Sequence, residues 1–122
     1  MIAAASCIGP VSISAQTTDG SIQPIEIIPL PDDTVLLFEF HILARRTDSF
    51  DRGGWIHNVL VYRESGGPAT IQGTVDTPLN RRSVTAWGVT TDVSGGNLVV
   101  SVRGSAGQTV SWQLSYTFKE VS

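Results

Sequence analysis

The most regular pattern in the sequence is an alternation of apolar and polar residues over residues 109–119. Successive side chains of a β-strand point to opposite faces of the sheet. One face of this segment carries hydroxyl and amide groups, and the other face is apolar. The apolar positions are Val110, Trp112, Leu114, Tyr116 and Phe118. The pattern predicts a long strand that packs one face on a core and exposes the other to solvent.

The two-residue period recurs along most of the chain, and turns that contain Gly or Pro separate its segments. It predicts strands over residues 11–15, 22–28, 34–46, 55–63, 69–75, 83–93, 98–103 and 109–119. No segment has helical spacing of its apolar residues. We therefore predict an all-β fold, an antiparallel and jelly-roll-like β-sandwich of about eight strands.

Three local features refine the predicted strand order. The short Gly-containing loop at 104–107 predicts that the last two strands form a terminal hairpin. Pro24 restricts its strand to a sheet edge or a bulge, because proline cannot donate to a ladder. Residues 76–82 contain Pro78 and have no periodicity, so they are predicted to be a loop that crosses between the sheets.

Two central strands, residues 34–46 and 55–63, are apolar on both sides. Such strands lie in a sheet that something else covers. The cover is either a partner, meaning another subunit or another protein, or the loops and N-terminal arm of the same chain. The partner interpretation predicts an interface made of outward strand residues and arm residues. These are Leu37, Glu39, His41, Leu43, Trp55, His57, Ile2, Ile8, Val11 and Ile13.

Composition limits the classes of function. The 122 residues fit one domain, with an N-terminal arm and possible first strand over 1–16 and the sandwich over 17–122. A formal net charge of −3 and mostly scattered cationic residues argue against a nucleic-acid surface. No apolar run reaches the roughly 20 residues of a membrane span. We expect neither a nucleic-acid nor a membrane partner. The single cysteine, Cys7, excludes an intramolecular disulfide, and the uncharged start of the chain predicts no signal peptide.

The sequence lacks the patterns of catalytic and metal-ligating residues. The two histidines, His41 and His57, lie inside predicted strands without the short ligand spacings of a zinc site. A Gly-x-Ser-x-Gly nucleophile segment is absent. Gly53-Gly54 lacks the Lys and the following helix of a phosphate loop. We predict no enzyme activity, no cofactor and no metal.

Two further groups have a structural and a functional interpretation. The charged residues over 45–52 are predicted to form surface ion pairs that brace a strand connection. Trp112 is predicted to be a core residue, whereas Trp55 and Trp87 are either core or interface residues. On an exposed surface those two would suit stacking on a sugar.

With these residues in place, the chain resembles a module that recurs in virion proteins of tailed bacteriophages. The resemblance covers about residues 25–121. It rests on the segments ARRTD at 44–48, DR at 51–52, VYR at 61–63, GGxATIQG at 66–73, DVSG at 92–95 and VxVxGxAGQTVxW at 100–112. It implies a β-sandwich that assembles on the phage particle, commonly as a homo-oligomer, with no catalytic residues to carry over.

The resemblance leads to two expectations for function. The module often ends longer tail-associated proteins, and it also occurs as a small free-standing virion protein. Because this chain is short, the main expectation is a capsid decoration (cement) protein, a homotrimer that binds the major capsid protein or another virion protein on the outer capsid surface. Its N-terminal arm would add a strand to a neighbour. The alternative is a tail-fibre or tail-tip module, part of a tail appendage, that binds a host receptor or carbohydrate.

Overall fold

The computed structural model describes the backbone of residues 6–122 and the side chains from residue 11 onward. Within this range the chain forms nine strands. They are β1 (Ser6–Thr17), β2 (Ile22–Pro29), β3 (Thr34–Arg46), β4 (Arg52–Arg63), β5 (Ala69–Ile71), β6 (Asp76–Arg82), β7 (Gly88–Ser94), β8 (Asn97–Arg103) and β9 (Val110–Val121). The described range contains no helix long and apolar enough to cross a membrane.

The strands form two antiparallel sheets. The larger sheet has the order β1-β9-β3-β4-β5, with β6 also paired to β4, and the smaller sheet has the order β2-β8-β7. The predicted all-β sandwich is therefore confirmed, with one strand more than expected.

The core lies between the two sheets and follows the predicted alternation. Strands β3 and β9 are neighbours in the larger sheet, so their inward residues form one continuous apolar surface. The buried apolar residues of these two strands are Leu36, Phe38, Phe40, Ile42, Ala44, Val110, Trp112, Leu114 and Tyr116. From the smaller sheet, β8 contributes Leu98, Val100 and Val102.

The three tryptophans meet in this core. The ring centroid of Trp112 lies 5.5 Å from that of Trp55 and 6.1 Å from that of Trp87. The Trp112 indole nitrogen donates to Thr17 Oγ1 at 3.0 Å, and the Trp87 indole nitrogen donates to Gln108 Oε1 at 3.1 Å. The indole N–H groups of Trp112 and Trp87 thus have the partners that their desolvation requires.

The predicted terminal hairpin is wrong. Strand β8 belongs to the smaller sheet and pairs with β2 and β7, whereas β9 belongs to the larger sheet and pairs with β1 and β3. The loop at 104–107 therefore crosses between the sheets. Both strands have one core face in either arrangement, which is why their alternation could not distinguish a hairpin from a crossover.

The predicted loop over residues 76–82 is also wrong, because this segment is strand β6. All of its residues are exposed, so it shows no apolar period. It pairs along a single side with β4, which leaves an edge position that tolerates Pro78. The other proline prediction is confirmed. Strand β2 is an edge strand, and its register shifts between Pro24 and Glu26.

The N-terminal strand is longer than the sequence indicates. Strand β1 starts at Ser6 and pairs with β9 of the same chain over its length, with a register shift between Ile8 and Val11. The predicted strand addition to a neighbour thus has an intramolecular counterpart here. Residues 1–5 lie outside the described range.

Candidate functional site

The outer face of the larger sheet, which points away from the smaller sheet, is open to solvent. Leu37 and Leu43 are 51% and 65% exposed, and Glu39 and His41 lie between them on the same face of β3. The Glu39 carboxylate lies 3.5 Å from His41 Nε2. Within the described range, neither loops nor β1 cover these residues. As an interface with a partner, this face stays a prediction.

Two residues predicted for the same interface lie elsewhere. Trp55 and His57 are 2% and 4% exposed, because their positions on β4 point into the core. Alternation along β4 places them opposite Ile56 and Leu60, so they cannot share a surface with Leu37. The core alternative for Trp55 is confirmed, and Trp87, at 1% exposure, is likewise a core residue.

The predicted arm contacts divide into two groups. Val11 and Ile13 are partly buried and pack against the hydrophobic core of their own chain. Ile2 lies outside the described residues, and so does the side chain of Ile8. The arm residues with described side chains therefore stabilise the sandwich itself.

A concavity with a volume of about 1080 Å³ lies on the outer face of the larger sheet. It is an open groove, which we call the outer-face groove. The floor of the groove is a row of residues that are paired in register across five strands. The row reads Ser14, Gln113, Leu43, Gly54 and Arg81, from β1 through β9, β3 and β4 to β6. Four interstrand steps of about 4.8 Å give it a length of roughly 19 Å.

The groove exists because Gly54 stands where a side chain would otherwise fill it. A Cβ atom at Gly54 would lie 3.5 Å from Leu43 Cδ2 and 3.7 Å from Leu79 Cδ2, both ordinary van der Waals distances. The backbone there does not require glycine, so the missing side chain serves to leave space between the two leucines.

The adjacent residue, Gly53, must be a glycine for a different reason. A Cβ atom at Gly53 would collide with the six-membered ring of Trp55 and would lie 3.2 Å from the carbonyl oxygen of Arg81. Gly53 therefore allows Trp55 to lie flat beneath the sheet, on the core side. One glycine of the pair permits core packing, and the other opens the outer face.

Polar side chains line the β1 and β9 half of the groove. Ser14 Oγ donates to Gln113 Oε1 at 2.7 Å, and Gln16 Nε2 donates to Ser111 Oγ at 3.3 Å. These groups are exposed and have further donor and acceptor capacity. This half can form hydrogen bonds with hydroxyl groups of a ligand.

Three arginines present their side chains to the other half of the groove: Arg45, Arg52 and Arg81. Arg82 contributes backbone to the lining, because it pairs with Gly53 in the register and its side chain donates to Asn80 on the opposite face. Arg45 and Arg52 stand directly opposite each other on β3 and β4. The lining contains no Asp or Glu among the described residues. This half of the groove is therefore cationic.

The β3–β4 connection holds the first two arginines in place. The Arg45 guanidinium carbon lies 4.3 Å from the ring centroid of Phe50. Arg45 Nε donates to the carbonyl of Ser49 at 3.4 Å, and Arg52 donates to the carbonyl of Phe50 at 2.9 Å. The carboxylates of this connection, those of Asp48 and Asp51, lie beside Arg46 instead.

Arg46 forms ion pairs with both of these carboxylates. Its Nε lies 2.6 Å from Asp48 Oδ1, and its Nη1 lies 3.9 Å from Asp51 Oδ2. The predicted ion pairs of this segment are thus present for Arg46. No ion pair of Arg45 or Arg52 occurs in the described range, which the sequence interpretation did not anticipate.

A second, smaller cleft of about 350 Å³ lies at the side of the sandwich and reaches Trp87 and His57. His57 Nδ1 lies 2.9 Å from Thr91 Oγ1. Burial lowers the pKa of His57 below its ordinary value of 6.5, so the ring is neutral at physiological pH. No group of three His, Cys, Asp or Glu side chains able to hold a metal occurs in the described range.

Sequence reasoning missed the groove because its parts are far apart in the chain. Gly54 had been weighed as part of a phosphate loop, and Arg81 had been assigned to a crossover loop. The signal that could have found it is the pairing of a glycine in a strand interior with unpaired arginines. The two features are recognisable as parts of one site when the strand register shows that Arg81 lies beside Gly54.

No protein-family model and no curated protein matches the sequence. Among solved structures, the fold is similar to part of the Acinetobacter baumannii phage AM24 tailspike protein, with a TM-score of 0.51 and 12% identity. That match covers 93% of this chain and 26% of the tailspike chain. A second match, tailspike protein gp49 of Acinetobacter baumannii bacteriophage Fri1, a capsular polysaccharide depolymerase, has a TM-score of 0.40 and 10% identity and covers 96% and 20% of the two chains.

These matches bear on the fold. The chain spans about a quarter of the length of the AM24 tailspike protein that it matches. At 12% identity the AM24 match shows a shared fold, and the Fri1 match is too weak to carry an argument. The protein is thus an antiparallel β-sandwich of a kind that also occurs within a phage tailspike.

Proposed function

We propose that this chain is a non-catalytic β-sandwich module of a bacteriophage tail appendage and that it binds a receptor or carbohydrate on the bacterial surface. The observation that carries the proposal is the fold similarity to the AM24 tailspike protein, which extends over 93% of this chain. A shared fold over nearly the whole chain favours a related place in the virion, by analogy.

The outer-face groove supports the binding part of the proposal. Concave surfaces with polar groups at defined positions are the usual sites of ligand binding, with volumes of roughly 300–1,000 Å³. The groove is of this size, and it is open along the sheet, which suits a chain-like ligand more than a small enclosed one. Its floor consists of paired strands, which fix the spacing of the residues along it, and contacts with the β3–β4 connection hold Arg45 and Arg52 before a ligand arrives.

The binding mode differs from the one that the tryptophans suggested. Trp55 and Trp87 are core residues and cannot stack on a sugar. Recognition in the groove would instead use hydrogen bonds from Ser14, Gln16 and Gln113, charge-assisted hydrogen bonds from arginines, and apolar contact with Leu43.

The capsid-decoration interpretation has less support. The AM24 protein whose fold is shared is a tailspike protein, and no feature of the described residues favours a capsid lattice over a tail. The depolymerase activity named for the Fri1 protein belongs to a chain of which this one matches 20%, so it is not part of the proposal.

Immunogold electron microscopy of the phage that encodes the chain tests the location. Antibodies against the purified protein should label the tail region, and label over the capsid surface would overturn the tail assignment. An adsorption assay tests the binding. Purified protein added to host cells should slow phage attachment, and the Gly54→Val variant should have lost this effect.

A matched control variant shows whether the loss of inhibition in the adsorption assay comes from the groove or from any added valine side chain. Gly88 lies in the smaller sheet, and a Cβ atom there meets nothing within 4 Å. Gly88→Val therefore adds the same side chain outside the groove and should inhibit attachment as well as the parent protein does. Equal inhibition by all three proteins would show that attachment does not involve the groove.

A further inference from the structure

We propose that the outer-face groove binds acidic polysaccharide, with sugar carboxylates held by the arginines of its β3, β4 and β6 half. The inference rests on the proposed function and deepens it by naming the class of ligand. Three independent observations support it: the distribution of charge, the arrangement of the arginines, and the chemistry of the opposite half.

The charge of the groove contrasts with that of the whole protein. The chain has a formal net charge of −3 and eight Lys and Arg residues in total. Three of these eight, Arg45, Arg52 and Arg81, present their side chains to the groove, with no carboxylate among the described lining residues. A cationic concavity on an acidic protein attracts anions to one place and repels them from the rest of the surface.

The arginine arrangement has an unbalanced like-charge pair at its centre. Arg45 and Arg52 are directly opposite in register on the outer face. Side chains in such a pair have Cβ atoms about 5 Å apart, and like charges there are destabilising. The pair has no carboxylate partner in the described range, since Asp48 and Asp51 lie beside Arg46. An anion bound between the two guanidinium groups would remove the repulsion.

Arg81 extends this cationic group along the floor. It pairs with Gly54 in the strand register, two positions from the Arg45 and Arg52 pair and on the same outer face. No hydrogen bond or ion pair of its side chain occurs among the described residues. Arg52 and Arg81 on neighbouring strands can therefore contact successive negative groups of a polymer, and guanidinium groups bind carboxylates with paired hydrogen bonds.

The other half of the groove favours a saccharide over other polyanions. Its polar residues, Ser14, Gln16, Ser111 and Gln113, match hydroxyl groups, which acidic sugars carry in addition to the carboxylate. Single-stranded nucleic acid binds by stacking its bases on exposed aromatic rings. The one aromatic residue in the lining is Trp112, and its side chain is buried in the core. The groove floor thus offers a base no exposed aromatic ring, and the exposed ring of Phe50, outside the lining, already has the Arg45 guanidinium against it.

Binding to defined polysaccharides tests the inference. The probes are polygalacturonate oligomers, which carry one carboxylate per sugar, and dextran oligomers of matched length, which are neutral. Isothermal titration calorimetry at low salt should detect polygalacturonate and should not detect dextran. The affinity should fall as salt rises, because exposed charges are screened.

A pair of double variants with identical net charge separates the groove from general electrostatics. Arg52→Gln with Arg81→Gln removes two charges from the groove and should weaken polygalacturonate binding about tenfold or more. The control, Arg103→Gln with Lys119→Gln, removes two exposed charges outside the groove and should change the affinity less than about twofold. Gly54→Val fills the floor without altering charge and should also abolish binding.

The outcomes distinguish this inference from the proposed function. Dextran binding equal to polygalacturonate binding would overturn the acidic class and leave surface binding intact. Equal weakening of polygalacturonate binding by the two double variants would indicate general electrostatic attraction and overturn the assignment of the groove as the site. A single-stranded DNA of matched charge that binds as tightly, with the same loss in Arg52→Gln and Arg81→Gln, would show a general anion site and contradict a saccharide. Absence of polygalacturonate binding overturns the inference, whereas the location of the protein on the tail is decided separately by immunogold labelling.

Discussion

His57 Nδ1 lies 2.9 Å from Thr91 Oγ1, and this contact joins β4 of the larger sheet to β7 of the smaller sheet inside the core. Burial lowers the pKa of His57, because a charged imidazolium is poorly solvated there. The unfolded chain keeps the ordinary pKa of about 6.5 and therefore binds a proton more readily in acid. It follows that the folded state loses stability as the pH falls.

The first prediction is a decrease in the free energy of unfolding as the pH falls below about 6.5, with full stability above that value. Denaturant titrations between about pH 8 and pH 5 measure it. In His57→Gln the decrease should be smaller, since that side chain stays neutral. The control is His41→Gln, which changes an exposed histidine and should retain the decrease of the parent protein. Parallel curves for the parent and His57→Gln would contradict the burial account.

The second prediction concerns the two adjacent glycines. Gly53→Ala should destabilise the fold by about 1–3 kcal/mol, because the new Cβ would collide with the Trp55 ring in a packed core. Gly54→Ala should be neutral or stabilising by up to about 1 kcal/mol, since its Cβ meets the leucines at ordinary distances and alanine suits a strand better than glycine. Chemical denaturation of both variants measures the difference. Equal costs would mean that the two glycines do not face opposite sides of the sheet.

The third prediction concerns Arg63, which ties the β2–β3 and β4–β5 loops together at one end of the sandwich. Its side chain donates to the carbonyls of Gly67 and Leu30, both at 2.8 Å, and its Nε lies 3.3 Å from Asp32 Oδ1. Arg63→Met keeps the length of the side chain but leaves these carbonyls without their charged donor. The free energy of unfolding should fall by about 2 kcal/mol.

Arg103→Met is the comparison for Arg63. Arg103 is exposed on β8, and its loss should change stability by less than about 0.5 kcal/mol. A loss of similar size in both variants would mean that the contacts of Arg63 add nothing beyond an ordinary surface arginine.

The fourth prediction concerns Tyr116, whose hydroxyl donates to Glu26 Oε2 at 2.8 Å. Burial and the neighbouring carboxylate raise the pKa of Tyr116 above its ordinary value of 10. The unfolded chain deprotonates first as the pH rises, so stability should fall above about pH 10. In a Tyr62→Phe background, tyrosinate absorbance should appear together with unfolding. Tyrosinate absorbance in a protein that is still folded near pH 10 would contradict the buried hydrogen bond.

The sequence predicted those strands whose two faces differ. In β9 one face is apolar and the other polar, so the two-residue period was visible and its core residues could be assigned. In β3 both faces carry apolar residues, and the structure buries one face and exposes the other. Strand β6 escaped because both of its faces are exposed, which removes any apolar period. The hairpin error had a different cause, since the alternation reports burial and says nothing about which strands pair.

The groove could not be predicted from the sequence for a related reason. Its floor comes from five strands that are neighbours in space and widely separated in the chain. The outward position of Leu43 was predicted, but its relation to Gly54 and Arg81 depends on strand register, which the sequence pattern leaves open. The sequence pattern did not distinguish a core position from an interface position for Trp55, and the structure buries this residue in the core.

The measurement that tests the account most directly is a nuclear magnetic resonance titration of the isotope-labelled 13.0 kDa protein with polygalacturonate oligomers. The account predicts that the largest amide shift changes map to the groove floor, at Ser14, Leu43, Gly54, Arg81 and Gln113. Amides of Gly88 and Val89, which line the smaller cleft, should stay unchanged. Shift changes centred on the smaller cleft, or no changes at all, would contradict the assignment of the outer-face groove as the binding site.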